Sequence, residues 1–190
     1  MTKKIIAAIR FISPPQRDDA VLSLIANPDL LYPVYANVLM VAKTIFFDLR
    51  EDIGDDIISS VQRLIAEESH VLRVDLNLAY AIRLLSCRHS PESEELLIRL
   101  YEKQTSLLLR RDIILALARW GAWYWLSDLR TRFRTLSQPE RRAFVIASFM
   151  LKDEGKHWRE HIKPELTPFE KLVMQWAAGK MSATGWELPL

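Results

Sequence analysis

His157-Trp-Arg-Glu-His161 has the spacing H-x-x-E-H. Two histidines one helical turn apart can hold zinc, and a glutamate beside them can activate a bound water, as in the inverted zinc proteases. Catalytic zinc requires a third protein ligand and an open water position. Downstream of His161 the acidic candidates are Glu165, Glu170 and Glu187. Glu165 falls in a turn, and Glu170 stands three residues after Thr167, where capping of a helix already explains it. Asp153 as cap and Pro164 as terminator leave a helix of about nine residues for the motif. The competing reading is a charged helix face with Trp158 buried against the preceding repeat. No metal or cofactor is expected, and a zinc hydrolase using His157, Glu160 and His161 is the weaker alternative.

A second group of residues could do chemistry of another kind. From Arg110 to Arg142 there are eight arginines and three acidic residues, a net charge of +5; the whole chain carries +2, so the remainder carries −3. The arginines are Arg110, Arg111, Arg119, Arg130, Arg132, Arg134, Arg141 and Arg142, with Trp123 and Trp125 among them. Arginine forks bind phosphate bidentately and stack on rings, and an arginine- and aromatic-rich surface suits single-stranded nucleic acid or a protein hot spot. The same arginines could instead form ladders with acidic residues of an adjacent repeat. On one continuous helix Arg130 and Arg134 share a face and Arg132 points elsewhere. Trp123 and Trp125 likewise cannot face the same way.

Other chemistries lack their motifs. No G-x-S-x-G, glycine-rich phosphate loop or dinucleotide fingerprint occurs. The single cysteine, Cys87, excludes an internal disulfide and reads as a structural thiol; His89 is too near in sequence to pair with it as a catalytic dyad.

These residues must be positioned by helices. The chain has 190 residues and five glycines, with no sustained period-two alternation. Charges recur every three or four residues through long apolar stretches, which is helical spacing. Four segments align without gaps: Tyr35–Asp48, Leu72–Leu85, Leu109–Ala122 and Glu140–Asp153. Each has an alanine at the same place, Ala42, Ala79, Ala116 and Ala147, at intervals of 37, 37 and 31 residues. A small residue mid-helix permits close approach of a neighbour, and flanking Leu, Ile and Val fill the layer between. A more amphipathic helix follows three of them, over Ser93–Gln104, Trp123–Arg134 and Glu154–Ile162. The expectation is an all-α, HEAT-like α-solenoid of about ten or eleven helices in antiparallel pairs. It forms one repeat domain over residues 1–179, with a loosely held tail over 180–190. An amphipathic helix over Lys3–Phe11 is expected to cover the first repeat.

The segment from Leu109 to Ala177 resembles the helical C-terminal region of defence-associated bacterial reverse transcriptases. Carrying the likeness are Arg110-Arg111, Trp120-Gly121, Pro139-Glu-Arg-Arg-Ala143, Asp153-Glu-Gly-Lys-His-Trp158 and Thr167-Pro-Phe-Glu170; Asn27-Pro-Asp-Leu-Leu31 matches more loosely. In that family a HEAT-like domain follows a polymerase domain. Here no polymerase domain is present and no Tyr-x-Asp-Asp motif occurs, since the adjacent aspartates Asp18-Asp19 and Asp55-Asp56 do not follow Tyr-x. What the resemblance implies is a repeat module that docks onto a polymerase or another phage-defence component. The combined expectation is a non-enzymatic binding or scaffolding module with a protein partner. The alternative is a single-stranded DNA- or RNA-binding protein using the 110–142 surface. No run approaches the roughly 18 apolar residues of a membrane span, and Arg10 interrupts the apolar start, so a cytoplasmic location is expected.

Overall fold

Proline and acidic residues start the helices, and short polar breaks end them. Proline occupies both of the first two positions of α1 (Pro14–Ile25) and the second position of α2 (Tyr32–Ala42), where its missing N–H costs nothing. Asp55 and Asp56 open α3 (Asp55–Ala66) and Asp75 opens α4 (Asp75–Leu85), complementing the positive end of the helix dipole. Then follow α5 (Pro91–Lys103), α6 (Leu107–Trp120), α7 (Trp123–Thr131), α8 (Gln138–Met150), α9 (Lys152–Ile162) and α10 (Pro168–Lys180). The structure, a computed structural model, describes residues 12–27 and 30–180. Among them there are ten α-helices and no strand, so the all-α expectation holds. The expected helix Lys3–Phe11 and the tail beyond Lys180 lie outside the described residues.

The chain divides into two compact units, Met1–Leu100 and Tyr101–Leu190. In the first, α1 packs on α2 and α3, and α4 packs on both α2 and α3. A π-helical turn, Lys43–Asp48, continues α2. Its wide winding buries three consecutive side chains, Ile45, Phe46 and Phe47. Tyr35, Leu39, Ile57, Val61, Ile82 and Leu85 complete that core. Each such burial contributes about 1.5–3 kcal/mol. The Tyr35 hydroxyl donates to the Ile25 carbonyl. Burial pushes the Tyr35 pKa up to about 12, against the opposing charge of Arg63.

In the second unit α8 is central: α6, α9 and α10 all pack on it. Ala116 of α6 and Ala147 of α8 are fully buried, as their alignment in the sequence predicts. Gly121, at φ 79°, closes α6 in the left-handed conformation, and Gly121 and Ala122 return their N–H groups to Ala118 and Leu117. The α8–α9 approach is closer still. A Cβ at Gly155 would sit 1.7 Å from the Ser148 carbonyl oxygen, so only glycine fits. Arg159 donates to that same carbonyl, and its burial lowers the guanidinium pKa. Trp158 is buried and stacks on Phe144, with centroids 5.7 Å apart at 14°.

Two helix boundaries differ from the sequence expectation. Helix α9 begins at Lys152, with Leu151 as its cap, so Asp153 is a first-turn acid and not the cap. The expected helix Trp123–Arg134 ends at Thr131. Arg132 leaves helical geometry at φ −110°, ψ 24°, and a 3-10 turn follows over Phe133–Thr135. That break has consequences for the arginines it carries.

Candidate functional site

The eight arginines of the 110–142 stretch fall into different environments, all within the second unit. Two form matching clasps. Glu140, at the third position of α8, completes a capping box with Ser137: its Oε2 accepts from the Ser137 N–H at 2.9 Å and from the Ser137 hydroxyl at 2.5 Å. Its Oε1 accepts from the Tyr101 hydroxyl at 2.6 Å and from Arg110 at 3.3 Å. Arg110 also lies over the Tyr101 ring, 4.7 Å from its centroid. Burial alone would raise the Glu140 pKa. The bonds from the Ser137 hydroxyl, Tyr101 and the Ser137 backbone, with the charge of Arg110, hold it below the ordinary carboxylate value. The Tyr101 hydroxyl is pushed well up, by burial first and then by its bond to Glu140 and that carboxylate's charge.

Glu170 repeats the arrangement two helices later, on α10. It accepts from the Thr167 N–H at 2.8 Å, while its own N–H donates to the Thr167 hydroxyl at 3.3 Å. Arg141 grips it with Nε at 2.7 Å and Nη2 at 2.8 Å, donates to the Glu165 carbonyl at 2.8 Å, and lies over Phe133. Burial would again raise the carboxyl pKa, and the bonds from Arg141 and Thr167 with the Arg141 charge lower it. Arg111 is buried against Asp112, with Nε and Nη2 at 2.9 and 2.7 Å from one oxygen. Arg142 lies over Phe169, 4.2 Å from the centroid, and its Nε is buried without a partner. Trp125 is half-buried and meets Tyr101 edge-on at 4.9 Å. The inter-helix ladder therefore holds Arg110 and Arg141; Arg111 and Arg141 are mostly buried, and Arg110 and Trp125 are half-buried.

Arg130, Arg132 and Arg134 come together instead. Because the helix breaks at Arg132, all three line one cleft of about 570 Å³, with Thr131, Thr135, His161, Ile162 and Glu165. The expectation that Arg132 points away from the other two assumed a continuous helix and is corrected by that break. Arg132 meets Asp128 at 3.1 Å and Arg134 meets Glu165 at 3.1 Å, with the arginine side chains 51% and 78% exposed. Exposed pairs of this kind are worth about 0–1 kcal/mol. The Nε of Arg130 is buried without an acceptor.

Trp123 and Tyr124 form a third feature at the start of α7. They are 53% and 54% exposed, and their rings meet edge-to-face at 6.5 Å. A smaller cavity of about 280 Å³ adjoins Trp123, lined also by Arg119, Trp120, Gly121, Met150 and Glu154.

Compared with known proteins, the chain matches no family model, no curated protein and no solved structure.

The HWREH residues do not converge. His157 is exposed on α9, Glu160 reaches Lys163 at 3.9 Å, and His161 lines the arginine cleft. Of the third-ligand candidates, Glu170 is held by Arg141 and Glu165 by Arg134, while Glu187 lies outside the described residues. Among the described residues no three His, Cys, Asp or Glu side chains are grouped to hold a metal ion. Cys87 is half-buried and donates to the Arg83 carbonyl at 3.3 Å, and His89 meets Glu94 at 2.8 Å. The residue missed by sequence reasoning is Ser137. The pattern Ser137-Gln-Pro-Glu140 is the same capping signature as Thr167-Pro-Phe-Glu170, and would have marked Glu140 as a clasp.

Proposed function

We propose that this chain is a non-enzymatic binding module of HEAT-like helical repeats that docks onto a protein partner. The observation that carries this reading is the exposed Trp123–Tyr124 edge beside Arg119. Trp, Tyr and Arg are the residues most enriched at binding hot spots, and two adjacent half-exposed aromatics leave apolar area unburied. The repeat reading is supported within each unit: α2, which ends at Ala42, packs on α4, and α6 packs on α8. The resemblance of the second unit suggests the partner class, a reverse transcriptase or another phage-defence component. No described helix is long and apolar enough to cross a membrane, and a cytoplasmic location is part of the same proposal.

The test is capture. The immobilised chain should retain a defined host protein, and W123A/Y124A should lose that protein while its thermal unfolding curve stays in place. Equal retention by the variant would remove the aromatic edge as the docking surface. A polymerase among the captured proteins would fix the partner class.

A second reading, binding of single-stranded nucleic acid, is favoured by one observation: Arg130, Arg132 and Arg134 share a cleft. It rests on these three arginines and no longer on the whole stretch. Their contribution to strand affinity should appear as a steep loss of binding with added salt.

A further inference from the structure

We infer that the cleft formed by Arg130, Arg132, Arg134 and His161 is a site for a small phosphorylated molecule. The inference rests on the same arginines as the second reading above and assigns them a different ligand; it is independent of docking through Trp123 and Tyr124. Three arginines on one break between a helix and a 3-10 turn line one space. Against them the lining holds one carboxylate, Glu165, and Asp128 meets Arg132 from outside it, which leaves a charge of +1 before His161 is counted. A guanidinium has five N–H donors and one carboxylate engages at most two of them, so Arg132 and Arg134 keep donors for a ligand. Arg130 adds an Nε with no acceptor, a buried donor that a small shift onto a ligand oxygen would satisfy.

The charge and donor set match a phosphate dianion, whose oxygens accept from several forks at once. The size and chemistry of the walls narrow the ligand further. A cleft of about 570 Å³ falls among the volumes that hold small ligands, about 300–1,000 Å³. No Phe, Tyr or Trp side chain lines it, so a strand would find phosphate contacts here and only the His161 ring on which to stack a base. The clasp arginines show what a committed pair looks like in this fold: Arg141 makes two short bonds to Glu170 and is mostly buried. Arg134 makes its contact with Glu165 while 78% exposed, and an incoming phosphate can displace that carboxylate at little cost.

The test uses inorganic pyrophosphate as the probe, titrated calorimetrically into the full chain at about 0.15 M salt, where loose surface attraction is largely screened. One site per chain is expected. The double variant R132Q/R134Q should weaken binding by about tenfold or more, which is about 1.4 kcal/mol. Its unfolding midpoint should not move, since both side chains are exposed. R99Q removes one positive charge from a 62% exposed arginine outside the cleft and should leave binding unchanged. Absence of saturable binding, or equal weakening by R99Q, overturns the inference. A twelve-residue single strand without a terminal phosphate is the competing probe. If it displaces pyrophosphate and binds more tightly with the same arginine dependence, the cleft belongs to nucleic acid and the small-ligand inference falls. If it fails to compete, the nucleic-acid reading falls and this one stands. Neither result bears on capture through W123A/Y124A.

Discussion

Arg141 and Arg134 stand seven residues apart in the sequence and reach neighbouring parts of the same turn, yet they do opposite work. Arg141 donates to the Glu165 carbonyl and to both oxygens of buried Glu170; Arg134 meets the Glu165 carboxylate at an exposed edge. The difference lies in the acceptor. Glu140 and Glu170 are both third residues of a helix opened by Ser or Thr, and the capping geometry turns each carboxylate inward. Each then meets the arginine 30 or 29 residues before it. Once buried, a carboxylate demands a cation, because an unpaired buried charge is costly. Arg130, Arg132 and Arg134 sit where the helix breaks, and no capping carboxylate faces them.

The sharpest way to break this comparison is to remove a clasp. Arg141→Ala leaves Glu170 buried and unpaired and should cost about 3–5 kcal/mol in urea unfolding. A loss no larger than that of a surface mutant would show that the clasp is ornamental. Gly155→Ala comes next. Its methyl group would meet the Ser148 carbonyl, so α9 must shift, at about 1–3 kcal/mol or more. Wild-type stability in that variant would contradict the close α8–α9 contact that frames His157 and His161.

Acid titration sharpens the same contrast. Glu140 and Glu170 have folded pKa values below their unfolded ones, so their contribution is complete above the unfolded carboxyl value of about 4.3 and is lost as pH falls through the lower folded values. Stability measured from pH 6 downward should therefore fall below about pH 4, and less steeply in Glu140→Gln, where one of the two groups is gone. An equal slope in both proteins would remove Glu140 from the acid transition. The smallest effect is expected at the cleft: Arg134→Gln should change stability by no more than about 0.5 kcal/mol.

The sequence makes some of this legible and hides the rest for physical reasons. Helix positions follow from charge spacing, proline and the aligned alanines, and Ala42, Ala116 and Ala147 are buried while Ala79 is half-buried. The capping pattern at Thr167–Glu170 is visible directly, and that at Ser137–Glu140 was open to the same reasoning. Which arginine meets which carboxylate is a tertiary fact, because it depends on how α6 and α8 lie beside the helices that follow. The cleft is hidden more deeply. It exists because one residue, Arg132, leaves helical geometry, and nothing in Leu129-Arg-Thr-Arg-Phe-Arg134 announces a break. The π-turn after Ala42 is equally silent, since Lys43–Asp48 reads as continued helix. In HWREH a short pattern matches a zinc signature, while in the fold His161 lines the arginine cleft and Glu160 reaches Lys163.

The division of the arginines is open to one direct measurement. Phenylglyoxal labels accessible guanidinium groups, and peptide mass spectrometry reads each arginine in the folded protein separately. Arg132 and Arg134 should label rapidly. Arg110, Arg111 and Arg141 should stay protected until the chain is unfolded, and then label like the others. Labelling of Arg141 in the folded protein at the rate of Arg134 would contradict the partition into clasp and cleft.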